Sequence, residues 1–581
     1  MKHKVFVNNI SNALVRGALY LRQLEVVLMG LAFLGLYLVL ANYALGGPLS
    51  SDILGYMNAS LHNTKGTYVL NRYFHILLQK IFLELAPDPL TGVQHYWAFL
   101  TAGTVLLIYA GARWMSNRST FLHGILATVI FFSMPPVARS AGIAFVDTTA
   151  MFMVALLTVV YIISLRKSHS IAWLIALWGC LLYLAFRTKE VTLIVGILIP
   201  GFGFHNDKFS ARLFWRNLVW MSAGFLAGIL IFAIWNGLVL GDFLFGLRLS
   251  ELRAFRATYI HNAQVASPSG SQNWYDYLLA DLWLPFLFYL VSSIKLSEAD
   301  PRLRFIWPVP LLLIAFLTIT INNQWGLPYR YFMPALPIMA MISPQFLVLR
   351  SDSKKENTLL ASILLPGTIA VYLFRLLLHW LSPQWGWDIT VLLSVVVEPI
   401  LLTLFLVTTI TTQRLSTKTS ALLAILLIAL LITPVRRNYK TMLIQRPNWE
   451  SSQQAFYPFS AFKEELQYTP HMRAYVVLPL WETVGFASIT KNLDEVICAY
   501  NVYFNAYATR ENFYVTWQTD PQALLNDILT GDYTHVLLRL SDWQNITEDF
   551  PQAYPSLTQR YDLFSEPGNL LVLLKAKTMA H

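Results

Sequence analysis

Asp52, Asp147, Arg187, Lys189, Glu190 and Arg330 interrupt or border the apolar runs of this 581-residue chain. Carboxylates and cations in such places can do one kind of chemistry together. The cations offset the charge of a phosphate-bearing leaving group, and one carboxylate takes the proton of an attacking hydroxyl. The second carboxylate orients that hydroxyl or holds a divalent ion (Mg or Mn) through oxygen ligands.

Each residue also has a plainer role. Ser51-Asp52 precedes a helical stretch, where Asp is a favoured N-cap, so Asp52 is a cap, a base or both. Asp147, in Ala144-Phe145-Val146-Asp147-Thr148-Thr149, is a second cap candidate, but a carboxylate in so apolar a context is costly unless paired, hydrogen-bonded or metal-bound. Arg187-Thr188-Lys189-Glu190 fills a tight turn. It is either an anion site in which Glu190 holds a cation in place or a self-neutralising interfacial cluster. Arg330-Tyr331 opens Tyr329-Arg330-Tyr331-Phe332-Met333-Pro334-Ala335-Leu336-Pro337. Arg330 binds an anion or snorkels to headgroups, and the two prolines permit local unwinding. Arg248, Arg253, Arg256 and His261 share one polar segment. Anionic headgroups account for them as well as a substrate does.

The elements that must position these residues are membrane helices. The chain is 56% hydrophobic and only 13% charged, against about 25% charged in a soluble domain. Its net charge of +10 is scattered in short clusters between apolar runs, which fits topology determinants and excludes a nucleic-acid module. Two cysteines, Cys180 and Cys498, make neither a disulfide framework nor a metal site. Apolar runs long enough to span, about 17 to 25 residues, fall near 24–45, 95–112, 121–138, 146–165, 171–186, 190–206, 217–240, 278–294, 304–320, 331–349, 358–380, 389–411 and 420–435. Lys2, Lys4, Arg16 and Arg22 ahead of the first keep the N-terminus cytoplasmic, and no cleavage pattern follows it.

Thirteen spans then set Arg113, Arg166-Lys167, Arg302 and Lys354-Lys355 inside. Asp52, Asp147, 187–190 and Arg330 fall outside. The expected architecture is a polytopic α-helical domain over 1–437 and a small extracytoplasmic α/β domain over 438–581. The first outer loop, 46–94, predicts two interfacial helices at 52–62 and 68–85. The second, 241–277, predicts a mobile loop. In the tail, helix-like stretches (462–468, 521–530) alternate with β-like ones (474–478, 535–540, 570–574). It carries no phosphate loop, nucleophile elbow or metal-ligand spacing.

In chain order these segments resemble the GT-C superfamily of integral membrane glycosyltransferases, which use polyprenyl-phosphate-linked sugars. Protein mannosyltransferases and the lipid A aminoarabinose transferase are familiar members. The resemblance rests on Asp52 in a first outer loop with interfacial helices, Asp147 at the fourth span, Lys189-Glu190-Val191-Thr192-Leu193, Arg330-Tyr331-Phe332-Met333-Pro334, and the external tail. It implies a polyprenyl-phosphate sugar donor, a glycan, lipid or protein acceptor, and transfer with inversion at the extracytoplasmic face of the cell (inner or plasma) membrane. Asp52 is the implied base, and Asp147 orients the acceptor or shares a metal with Asp52. Arg187, Lys189, Arg330 and Tyr331 hold the donor phosphate, with Glu190, Arg72, Arg248, Arg256 and His261 in support. Asp52 stands between Ser51 and Ile53 where many members carry two adjacent acids; the partner acid is Asp147 or Glu84, or there is none. Val69-Leu70-Asn71-Arg72-Tyr73 replaces the family's His-Pro-Pro segment, which implies a different acceptor or donor sugar.

The rival expectations are a lipid-linked glycan polymerase or ligase, a transporter or flippase of lipid-linked or anionic substrate, and an inactive relative that scaffolds envelope assembly. Against transport, the chain shows no inverted repeat and no matched pair of Gly/Pro-broken helices.

Overall fold

The computed structural model describes residues 24–42, 51–62, 72–87, 89–115, 121–139, 146–166, 172–205, 208–248, 282–299, 302–321, 329–347, 471–477, 513–516, 520–565 and 571–577, with a few isolated positions besides. Helix α1 (Leu24–Asn42) is followed by two short helices, α2 (Ser51–His62) and α3 (Tyr73–Leu85). Then come α4 (Pro89–Met115), α5 (Phe121–Phe132), α6 (Pro135–Arg139), α7 (Val146–Arg166) and α8 (Ala172–Phe186). A 3-10 helix runs over Glu190–Gly203, and a two-residue hairpin of β1 (Phe204–His205) and β2 (Lys208–Phe209) leads into α9 (Ala211–Leu240). After it lie α10 (Trp283–Ala299) and α11 (Pro308–Ile321).

Among the described residues, four helical stretches, Leu24–Asn42, Thr91–Met115, Val146–Leu165 and Ala211–Leu240, are long and apolar enough to cross a membrane. Two of them turn large apolar side chains outward. Leu24, Val26, Val27, Leu31 and Val39 on α1, and Trp215, Val219, Leu226, Leu230 and Leu238 on α9, are exposed. So much apolar surface is costly in water and matched to lipid, so the chain is a multi-pass membrane protein. The inner helices α4, α5, α7 and α8 pack around a core that includes Ile108, Leu126, Phe131, Val154, Tyr161 and Trp178. Helices α8 and α9 approach so closely that a Cβ on Gly224 would run into the Ala176 carbonyl, and one on Gly179 into the Met221 carbonyl. Gly224-Phe225-Leu226-Ala227-Gly228 is a small-xxx-small pattern, the usual sequence route to such contact.

Proline reshapes three expected spans. The run at 121–138 breaks at Ser133-Met134, where Pro135 starts α6. The run at 190–206 is the 3-10 helix, with Pro200 inside it. At a rise near 2.0 Å its fourteen residues extend about 28 Å, so a short run still covers most of a bilayer core. The run expected at 331–349 is three pieces, a 3-10 helix over Tyr329–Ala335, α12 (Leu336–Ile342) and a 3-10 helix over Ser343–Leu347. Pro334, Pro337 and Pro344 each remove a backbone donor there. The spans expected at 358–380, 389–411 and 420–435, and the helix at 462–468, lie outside the described residues, apart from isolated positions near 431–439.

The helix bundle carries polar contacts at both ends. At one end Arg113 Nε lies 3.0 Å from Glu25 Oε1, and Arg302 Nη1 donates to the Leu165 carbonyl at 2.9 Å. Asp147 and Lys189 mark the other.

Among the described residues, the C-terminal region holds a five-stranded sheet in the order β4-β3-β5-β7-β6, built from β3 (Ala474–Val477), β4 (Phe513–Thr516), β5 (His535–Arg539), β6 (Tyr561–Phe564) and β7 (Leu571–Ala576). β3 is parallel to both neighbours, and β7 is antiparallel to β5 and β6. Helices α13 (Pro521–Thr530), α14 (Leu540–Asp549) and α15 (Tyr554–Arg560) connect the strands. Asp520 caps α13 by accepting from the Ala523 N–H at 3.0 Å, with Pro521 as its first residue. β4, β6, α14 and α15 are additions to the expected elements. Asn545-Ile546-Thr547 lies inside α14 with Ile546 fully buried.

Candidate active site at one end of the helix bundle

Asp147 occupies the first turn of α7, and Lys189 follows the end of α8. Their side chains meet: Lys189 Nζ donates to Asp147 Oδ1, and the two are 8% and 2% exposed. Burial of either charge alone would be prohibitive, so each makes the other tolerable. One residue on, Glu190 points elsewhere. Both its carboxylate oxygens accept from Arg72 Nη1 at 3.0 Å. Arg72 immediately precedes α3, and the Phe74 N–H donates to the Arg187 carbonyl at 3.3 Å. The turn 187–190 thus ties the start of α3 to the start of α7. Burial works against the Arg72 charge, but Glu190, then Tyr56 and Asp147, hold its pKa above the ordinary value.

Arg187 is 1% exposed. Its guanidinium carbon lies 4.4 Å from the Phe232 ring centroid, and its Nη1 donates to the Gly246 carbonyl at 3.1 Å. Around it stand Tyr73, Tyr183, Phe232 and Phe245 of one aromatic cluster. Burial lowers the Arg187 pKa, against the opposing fields of Tyr183, Tyr73, Glu190 and Glu251, and burial raises that of Tyr73. The chain after α9 folds back over this cation. Gly241 takes φ +65 at the C-cap, Asn236 Nδ2 donates to the Phe245 carbonyl at 2.9 Å, and the Gly246 N–H donates to Glu251 Oε2 at 2.6 Å. Gly246 itself has φ +75, and a Cβ there would strike Arg187 Nη2. Glycine is what lets the backbone sit on the guanidinium.

Of the residues singled out in the sequence, Asp147, Arg187, Lys189, Glu190 and Arg72 are therefore gathered at one end of the bundle. Arg248 is engaged at the surface, with Asp242 at 2.8 Å and Glu251 at 3.2 Å. Asp52 falls in the first turn of α2, one turn ahead of Tyr56, whose ring lies 5.1 Å from that of His75. The backbone of Arg330 and Tyr331 belongs to the 3-10 helix over Tyr329–Ala335. The side chains of Asp52, Arg330 and Tyr331, and all of Arg256 and His261, lie outside the described residues. Glu84, the alternative partner acid, pairs with Lys80 at 3.1 Å in the last turn of α3. At 1.5 Å per residue that turn is about 18 Å from Arg72, so Glu84 stands apart from this cluster.

Of the two carboxylates expected to share a metal, only the Asp147 side chain is among the described residues. Among the described residues no group of three His, Cys, Asp or Glu side chains converges. Asp147 already meets an ammonium, beside which a dication would be repelled.

The sequence left three members of the site unnamed. His75, Tyr96 and Thr149 are buried together beside Asp147, with His75 Nδ1 2.7 Å from Thr149 Oγ1 and 3.1 Å from the Tyr96 hydroxyl. Their one signal was a histidine, three residues after Arg72, on the buried face of a helix whose other buried polar side chain is Gln79.

No family model and no curated protein matches the chain. Among solved structures it is similar to ArnT from Cupriavidus metallidurans bound to undecaprenyl phosphate, at 14% identity and a TM-score of 0.48 over 95% of this chain and 97% of that one. It is also similar to the arabinosyltransferase EmbB from Mycobacterium smegmatis, at 12% identity and a TM-score of 0.46, over 74% of this chain and 42% of that one. A third is the archaeal oligosaccharyltransferase AglB from Archaeoglobus fulgidus with an inhibitory peptide and a dolichol-phosphate, at 10% identity and a TM-score of 0.44, over 94% and 74%.

Proposed function

We propose that the chain is an integral membrane glycosyltransferase that moves a sugar from a polyprenyl-phosphate donor to an acceptor hydroxyl, with inversion, at the extracytoplasmic face. The observation that carries this reading is the buried Lys189–Asp147 pair in one cluster with Arg72, Arg187 and Glu190. Thirteen spans, an N-terminus inside and an α/β domain outside belong to the same proposal, supported by the charge of the loops.

In the proposed reaction the donor enters sideways from the bilayer, and its phosphate meets Lys189, Arg187, Arg330 and Tyr331. Fixed cations in a desolvated setting stabilise the charge that develops as the anomeric carbon–oxygen bond breaks. Polyprenyl phosphate leaves as the anion and needs no proton. The acceptor oxygen attacks the opposite face of the sugar, and its proton passes to Asp52. Asp147 holds the Lys189 ammonium in place. Of the two roles read for it from the sequence, orienting the acceptor is compatible with that pairing, whereas binding a metal competes with it.

Asp52→Asn tests the base. The expected outcome is a folded protein of normal thermal midpoint that transfers nothing. Full transfer by that variant contradicts the assignment.

A further inference from the structure

We propose that His75 is a positioning residue: it fixes the first turn of α7, and so the direction in which Asp147 presents its carboxylate to Lys189. The inference rests on the donor-phosphate reading of Lys189 given above.

Three elements meet at this point. His75 comes from α3, Tyr96 from α4 and Thr149 from α7, and all three are wholly buried. Their polar atoms form a triangle. Thr149 Oγ1 is 2.7 Å from His75 Nδ1 and 2.7 Å from the Tyr96 hydroxyl, which is 3.1 Å from His75 Nδ1. The Tyr96 hydroxyl also donates to the His75 carbonyl at 3.4 Å. An apolar trio would fill this space without desolvating polar atoms. A closed polar triangle adds direction, because each bond constrains angle as well as distance.

The direction matters because of helix geometry. Thr149 lies two residues beyond Asp147, and at 3.6 residues per turn their side chains leave α7 about 200° apart. Lys189 therefore holds the turn from one side, and the His75–Tyr96 pair holds it from nearly the opposite side. Rotation of that turn, which would swing the carboxylate off the ammonium, has to break the triangle. His75 does this through Nδ1. Its Nε2 meets no hydrogen-bond partner among the described residues, so the ring's far side contributes packing, including the edge contact with Tyr56.

Which atom does the work is testable, because asparagine places its amide where Nδ1 sits and glutamine reaches toward Nε2. Binding of undecaprenyl phosphate is measured with the full chain in nanodiscs. His75→Leu, His75→Gln and Thr149→Val should each weaken it about tenfold, the Leu/Val double variant no further, while His75→Asn stays within about twofold. Rescue by Asn is the outcome that a purely space-filling role does not give, since Leu matches the volume better. His75→Leu at wild-type affinity beside a weakened Lys189→Met overturns this proposal alone, and so does an Asn variant as weak as the Leu variant. Lys189→Met at wild-type affinity overturns the donor-phosphate reading and this proposal with it. If His75→Leu fails to fold, the Asn and Gln variants decide: equal binding by the two overturns the assignment to Nδ1.

Discussion

Lys189 and Asp147, forty-two residues apart in the chain, form an ion pair that leaves both side chains almost wholly buried where α8 ends and α7 begins. Removing one member of a buried ion pair costs about 3–5 kcal/mol. Lys189→Met and Asp147→Leu should each lower stability by that order in a detergent or denaturant titration. The double variant should recover most of it, while undecaprenyl phosphate binding stays lost. Recovery of binding in the double variant would assign the pair to folding alone.

Gly246 predicts a second cost. Its φ of +75 puts an alanine in a strained region, at about 1–3 kcal/mol, and the added Cβ must also displace the Arg187 guanidinium. Gly246→Ala should therefore reduce both the thermal midpoint and lipid-phosphate binding. Gly241→Ala, where a Cβ meets nothing within 4 Å, should reduce only the midpoint.

Arg248 gives the contrast. Its pairs with Asp242 and Glu251 are nearly half exposed on the arginine side, and solvent-screened pairs of this kind contribute little. Arg248→Ala should leave the thermal midpoint essentially at the wild-type value. A large drop would mean that the loop after α9 is anchored mainly through this residue.

His75 carries a pH dependence. Burial, aided by the nearby Arg72 charge, pushes its pKa down to about 3 from the ordinary 6.5. Below pH 6.5 the unfolded chain binds a proton that the folded chain does not. Stability from this group is complete above about pH 6.5 and is lost as the pH falls toward 3. Thermal midpoints recorded between pH 4 and pH 8 should fall on the acid side, less steeply in His75→Asn. Identical slopes would show that other groups dominate.

Much of this was legible in the sequence. Apolar length and loop charge located α1, α4, α7 and α9, and the odd-numbered position of Asp147 and of 187–190 put them together before any coordinates. The helices at 51–62 and 73–85 differ from expectation by a few residues, because Tyr68-Val69-Leu70 ahead of Arg72 continues the apolar pattern without a stop signal. What was not legible has physical causes. Proline fragments the 331–349 run into short helices that hydropathy averages over. The mutual pairing of Lys189 with Asp147, and of Arg72 with Glu190, depends on which way a four-residue turn points its side chains, and spacing does not encode that. The His75 triangle joins three elements from positions 75, 96 and 149, each unremarkable alone.

The most direct measurement compares glycan and lipid masses, by mass spectrometry, from membranes that contain the wild-type chain, Asp52→Asn or Lys189→Met. The account predicts a product one sugar residue heavier than its acceptor with the wild-type chain, accompanied by free polyprenyl phosphate, and neither with the two variants. The same product at the same yield from both variants would contradict it.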